Sequence, residues 1–181
     1  MTEVQTPPEK LLAAALRLLA ARQRGVKELR GRLAKKGFGK GEISNCISWL
    51  LERGYLNDAA FSRALVKDRL NFSPRSPALL RMELSRKGIT SSVAEASVQE
   101  VLEEEGASEQ SVAEEAAQRW VRKQGEKVLL ELTDESFSEA REKARRRLYG
   151  FLVRRGFRGG AARAGLEAGF LEASKLLQEK P

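Results

Sequence analysis

The chain contains no histidine. Most acid–base and nucleophilic constellations are built around one, so its absence removes the commonest routes to catalysis. There is one cysteine, Cys46, so no disulfide framework forms within the chain and no Cys/His metal spacing exists. Cys46 falls on a helical pattern beside Ile47 and Leu50, which predicts a packed small hydrophobe rather than a reactive thiol. No Walker loop and no GxGxxG run is present; Gly31, Gly37 and Gly39 cluster, but no P-loop Lys-Ser/Thr follows. No apolar run approaches the ~20 residues that span a bilayer, and the N-terminus lacks a basic-then-apolar signal segment. No stretch alternates apolar and polar residues with β-branched enrichment. These absences predict an all-α, non-enzymatic, cytoplasmic protein without metal or cofactor and without a membrane partner.

What is there is a repeat. ELRGRLAKKGF (Glu28 to Phe38), LLRMELSRKGI (Leu79 to Ile89) and RRLYGFLVRRGF (Arg146 to Phe157) share one pattern. It runs Leu, three residues, Leu, one residue, two basic residues, Gly, then Phe or Ile. The glycines Gly37, Gly88 and Gly156 stand 51 and 68 residues apart. Each leucine pair (Leu29/Leu33, Leu80/Leu84, Leu148/Leu152) shares a helix face. Each glycine is placed to take the left-handed conformation after a helix end. The Leu before it and the apolar residue after it then form the clasp of a Schellman stop. A fourth stop, without paired basics, reads Leu50 to Gly54-Tyr55.

The segments after each stop also match: apolar residues recur nine and thirteen positions on, at Ile47/Val98/Leu166 and Leu51/Leu102/Phe170. A further helix precedes each stop helix, over 8–22, 58–70 and roughly 109–123. The spacing therefore predicts an elongated array of three tandem three-helix modules, helix-turn-helix-like, at 1–56, 57–106 and 107–181, with an insert around 125–138. In that insert Val128-Leu129-Leu130 either caps the core or continues the preceding helix. Capping residues are expected at Thr6-Pro-Pro-Glu9, Asn57, Ser76, Thr90 or Ser92, and Ser136-Phe-Ser-Glu139.

Charge is segregated. Residues 1–92 carry 18 Lys and Arg against 8 Asp and Glu, a net +10. Residues 93–144 carry 6 against 14, a net −8, and residues 145–181 carry 9 against 3, a net +6. Basic ends attract polyanions, while Glu103-Glu104-Glu105 either forms a solvated face or steers the middle module off DNA. Arg30, Arg32, Lys35, Arg81, Arg86, Lys87, Arg145, Arg146, Arg147, Arg154 and Arg155 are the candidate contacts to a polyanion. On a helical wheel Lys35, Arg86 and Arg154 point away from the leucine face. Lys36, Lys87 and Arg155 lie nearer the core edge, where a cation in the last turn also serves the helix dipole for about 0.3–1 kcal/mol. Arg30, Arg32 and Arg81 flank the same helices, and Arg145-Arg146-Arg147 is the densest run. No helix carries a convincing Asn/Arg base-reading set, so contacts of the phosphate-positioning kind are expected. Trp49, Trp120, Tyr55, Phe61 and Phe72 are expected to pack, with base stacking the alternative for the two tryptophans.

The order and spacing of several elements together resemble one family. ELRGRLAKKGF, LLERGYLNDAAFSRALVKDRL (Leu50 to Leu70), ALLRMELSRKGI and RRLYGFLVRRGF are similar to RecX proteins, over about Leu11 to Leu176. The link Asn71 to Pro77 departs from the pattern, with two prolines where the family often has a glycine-rich turn. The resemblance implies a modulator, chiefly a negative regulator, of the RecA recombinase. It implies binding in the groove of the RecA–DNA filament and restraint of filament growth, ATP hydrolysis and strand exchange. Its partners would be the RecA filament and single- and double-stranded DNA, bound as a monomer through phosphate contacts. The alternative that charge alone supports is a RecA-independent helical nucleic-acid-binding protein.

Overall fold

The computed structural model describes residues 5–134, 136 and 138–179. Among the described residues there are ten α-helices and no strand. They are α1 (Glu9–Ala21), α2 (Val26–Lys35), α3 (Lys40–Glu52), α4 (Asp58–Phe72), α5 (Pro77–Arg86), α6 (Ser91–Glu104), α7 (Glu109–Val121), α8 (Glu126–Thr133), α9 (Glu139–Arg154) and α10 (Gly159–Gln178). None is long and apolar enough to cross a membrane.

The three stops form as their sequence dictates. Gly37, Gly88 and Gly156 have φ of 88°, 87° and 89°. The following amide in each case reaches back five residues: Phe38 N to Leu33 O at 3.5 Å, Ile89 N to Leu84 O at 3.1 Å, and Phe157 N to Leu152 O at 3.1 Å. These bonds satisfy carbonyls that a helix end leaves open. All six motif leucines are fully buried, and each contributes about 1.5–3 kcal/mol by leaving water. The Leu50–Gly54 stop differs. Its chain runs one residue further, so that Leu56 N bonds Leu50 O at 3.2 Å. Leu56 is buried and Tyr55 is exposed.

The second repeated position also shifts. Ile47, Val98 and Leu166 are buried, as nine-residue spacing predicts. Four residues on, Leu51 is exposed while Leu102 and Phe170 are half-buried against the core, and the fully buried position is one earlier, at Leu50, Val101 and Gly169. Helical geometry allows either an i+3 or an i+4 step, and here packing selects i+3. At Gly169 a side chain has no room: a Cβ would come within 2.6 Å of Leu148 Cδ2.

The chain forms two compact units. One comprises Met1–Val66 and Arg81–Glu100, the other Lys67–Leu80 and Val101–Pro181. In the first, Leu11 and Ala15 of α1 pack on Leu29 and Leu33 of α2, and on Ile43, Cys46, Ile47 and Leu50 of α3. Burial pushes the Cys46 thiol up, as befits an inert packed sulfur. In the second, α7 and α10 approach closely through Ala113, Ala116, Ala117, Ala161 and Ala162. The insert is a separate helix, α8, whose Leu129 and Leu132 join Val121, Ala144 and Ala173 in a core of their own. It does not continue α7, from which Gly125 with its extended backbone separates it; of the two expected roles, covering the core is the one its Leu129 takes.

Capping follows sequence at Asn57, whose Oδ1 accepts from Ala60 N at 3.0 Å, and at Ser76, whose Oγ accepts from Leu79 N at 3.2 Å. It departs at α1, where Pro8 occupies the cap position without a side-chain bond and Thr6 is not used. It departs at α9, capped by Ser138 rather than Ser136; Phe137 of that expected box lies outside the described residues. Phe72 also departs from expectation, lying 80% exposed at the end of α4.

Candidate functional site

Two of the three repeated basic ends open onto one cleft. In the first unit, Arg32 and Lys35 from α2 and Arg86 and Lys87 from the end of α5 line a space of about 570 Å³ with Arg22, Lys27, Gly25, Gly31, Glu28 and Phe61. Six cations face a single carboxylate there. Asp58 fixes the start of α2 by accepting from Val26 N at 2.8 Å. Lys27 Nζ lies 3.5 Å from Arg86 O, bonding the carbonyl end of α5. Gly31 keeps the floor of the cleft open, since a Cβ there would meet nothing within 4 Å.

Glu28 organises this cleft. Its Oε1 accepts from Arg22 at 2.6 Å, from Arg24, and lies 3.4 Å from Arg32 Nε. Arg24 itself is buried and donates Nε to Leu18 O at 2.8 Å, closing the end of α1. Burial alone would raise the Glu28 carboxyl, but the hydrogen bonds from Arg24 and Arg22 outweigh it and hold the group below its ordinary 4.5. A depressed carboxylate stabilises the fold above its unfolded pKa, and that contribution is lost as pH falls through the folded value. Wild type is therefore expected to exceed Glu28→Gln in stability at neutral pH, with the gap closing as pH falls from the ordinary carboxylate value through the lowered folded one. Urea unfolding of both proteins at several pH values checks this; a gap that persists in acid would refute it.

The second unit holds another cationic cleft, of about 980 Å³, along α9. Lys143, Arg146, Arg147 and Arg154 line it with Trp120, Gln124, Ser138, Glu139 and Glu142. Glu142 accepts from Arg146 Nε at 3.0 Å and lies 3.3 Å from Arg145 Nη1. Those bonds hold its carboxyl below the usual range. Among the described residues, Lys143, Arg147 and Arg154 have no carboxylate within the 4.0 Å of an ion pair.

The remaining sequence-predicted cations lie elsewhere. Arg30 donates to Ser44 Oγ at 2.9 Å, tying α2 to α3. Arg81 pairs with Glu95 at 3.0 Å. Arg155 is turned inward: its guanidinium lies 5.1 Å from the Phe151 ring centroid and bonds Ser73 Oγ and, at 3.4 Å, Pro74 O. Burial holds it below its usual pKa, with Arg75 and Arg69 pushing the same way. Arg155 thus holds the proline-containing link to α9. Arg22, Lys27 and Lys143 line the clefts without belonging to a repeated pair. For Lys143 a signal existed, because Lys143, Arg147 and Arg154 follow helical spacing along one face.

Fold and clefts together define a class: an all-α protein of helical units whose repeated helix ends present cations into open clefts. Two family models match it, described as the first three-helix domain of RecX over residues 12–50 and the second over residues 57–98. The "Regulatory protein RecX" of Amycolatopsis mediterranei is 34% identical over 90% of this chain and 86% of its own length. That of a Mycobacterium species (strain JLS) is 30% identical over 82% of this chain and 75% of its own. The chain belongs to the RecX family of regulatory proteins. The crystal structure of RecX from Lactobacillus salivarius has the same fold, with a TM-score of 0.67 at 20% identity over 90% of this chain and 96% of that one.

Proposed function

We propose that this chain is a cytoplasmic, non-catalytic, monomeric modulator of RecA. It binds the RecA–DNA filament and restrains filament growth, ATP hydrolysis and strand exchange. The observation that carries this reading is the first cleft, where Lys35 and the Arg86-Lys87 pair, from two copies of one motif, converge with Arg32. Capping alone would not bring helix ends from different repeats to one surface. The cations meet DNA phosphate or an acidic protein surface, which positions the protein without reading sequence. The expected module boundaries at 1–56, 57–106 and 107–181 belong to the same proposal, since linked modules engaging successive protomers gain avidity from effective concentration.

The test is ATP hydrolysis by the cognate RecA on single-stranded DNA, with this protein at few copies per many protomers. A fall in rate supports filament targeting; an unchanged rate overturns it. The two cationic clefts also favour a second reading, nucleic-acid binding without RecA. That reading predicts tight binding to bare DNA, with log K falling steeply against log salt. Weak binding to bare DNA at physiological salt, alongside inhibition of RecA, would exclude it.

A further inference from the structure

The second cleft has a feature that phosphate binding does not use. Trp120 lines it, half-buried, with its ring 6.1 Å from Phe151 and its backbone carbonyl accepting from Gln124 Nε2 at 2.8 Å. Phe151 thus backs the indole, and one N–H of the Gln124 carboxamide is tied to backbone. Lys143, Arg147 and Arg154 lie on one face of α9. They span about 16 Å at 1.5 Å per residue, more than one phosphate group requires. Gly150 falls on that face between Arg147 and Arg154, and a Cβ there would meet only Arg154 Nη1, at 3.2 Å. The backbone is therefore open to close approach.

A cleft with an aromatic surface and an extended row of cations that have no carboxylate partner among the described residues, bordered by Glu139 and Glu142, fits single-stranded nucleic acid. Unpaired bases offer a π-face whatever their identity, whereas duplex bases are already stacked. At about 980 Å³ the space is at the upper end of pockets that enclose a compact organic ligand. We propose that one unpaired base of a single strand stacks on Trp120 while its flanking phosphates are held by Lys143, Arg147 and Arg154. The inference rests on reading the basic clefts as nucleic-acid contacts, and not on RecA.

Two fluorescent strands of equal length test it, one oligothymidine and one with the same backbone but abasic. By anisotropy, wild type is expected to bind the thymidine strand about tenfold tighter. It should prefer it also to a duplex of equal phosphate count. Trp120→Phe retains the preference. Trp120→Leu abolishes it and leaves abasic binding within about twofold. Because Trp120 also packs against apolar neighbours, Gly150→Leu provides a second probe. It adds a good helix former that displaces only the flexible end of Arg154, whose Nη1 would lie 3.2 Å from the new Cβ, and is expected to lower binding of the thymidine strand more than of the abasic one with the fold intact. Arg147→Gln weakens both strands and flattens the salt slope by about 0.7. Equal affinity of wild type for thymidine and abasic strands would overturn the base site, even if RecA inhibition were observed. A thymidine preference lost in Trp120→Leu would establish it, even if RecA were unaffected.

Discussion

Charge reversal of Lys35→Glu together with Arg86→Glu is expected to raise the amount of protein needed to halve RecA-catalysed ATP hydrolysis by about a hundredfold. Both side chains are exposed and line the same cleft. Neither has a carboxylate partner among the described residues; Arg86 reaches only the Met82 sulfur, at 3.6 Å. Hydrogen bonds to charged groups contribute about 1.5–3 kcal/mol each, and screening of exposed charges places two such contacts near the lower end of that range. The competing explanation is helix capping, since both residues stand in a last turn. Lys36→Glu separates the two. Lys36 closes the same helix and is exposed, but it does not line the cleft. It suffers the same dipole penalty, about 0.3–1 kcal/mol, without loss of a cleft cation. Inhibition retained in Lys36→Glu and lost in the double variant, with unchanged helicity by circular dichroism, supports the cleft. Equal loss in both would refute it.

The fold was legible because its punctuation is local. A glycine, the leucine four residues before it and the apolar residue after it specify a Schellman stop without reference to the rest of the chain. The cleft was only half legible. Periodicity tells which face of a helix Lys35 or Arg86 occupies, but not that the ends of α2 and α5 meet. That is a matter of tertiary packing, through contacts such as Lys27 to the Arg86 carbonyl. Arg155 shows the converse. In sequence it is the twin of Lys36 and Lys87, yet the Ser73-Pro74 carbonyl and hydroxyl draw it inward. Nothing in the repeat distinguishes it. Glu28 was read as part of a repeat and not as a hub, because its partners Arg22 and Arg24 precede the motif, at and just beyond the end of the first helical pattern. Helix α8 was ambiguous because eight residues are too few for their period to exclude continuation of α7.

Alanine at the stop glycines is expected to cost more at Gly88 and Gly156 than at Gly37, although φ is nearly the same at each. Every one incurs the left-handed penalty of an L residue, roughly 1–2 kcal/mol. At Gly37 that is all, since a Cβ would meet nothing within 4 Å. At Gly88 the new methyl would lie 2.6 Å from Lys27 Cβ, an atom fixed to the α2 backbone that no rotation of the side chain moves away, so the start of α2 must shift and the Lys27 contact with Arg86 O is disturbed. At Gly156 the obstacle is rigid as well. The new methyl would overlap Ser76 Oγ and lie 2.9 Å from Leu79 Cβ. Ser76 is fully buried, its amide donates to Arg155 O at 2.9 Å, and its hydroxyl caps α5. It has nowhere to go without breaking one of these bonds, each worth about 0.5–1.5 kcal/mol. Gly156→Ala and Gly88→Ala are therefore both expected to destabilise by about 3–5 kcal/mol, against about 1–2 for Gly37→Ala. Near 2–4 °C per kcal/mol for a chain of this size, thermal unfolding resolves that order. Ser76→Ala supplies the cycle that assigns the cause. It removes a cap in the wild type, but in the Gly156→Ala background it also removes the overlapping oxygen. Its cost there must be smaller if the clash is the reason. Equal costs in the two backgrounds would show that backbone conformation alone sets the penalty at Gly156.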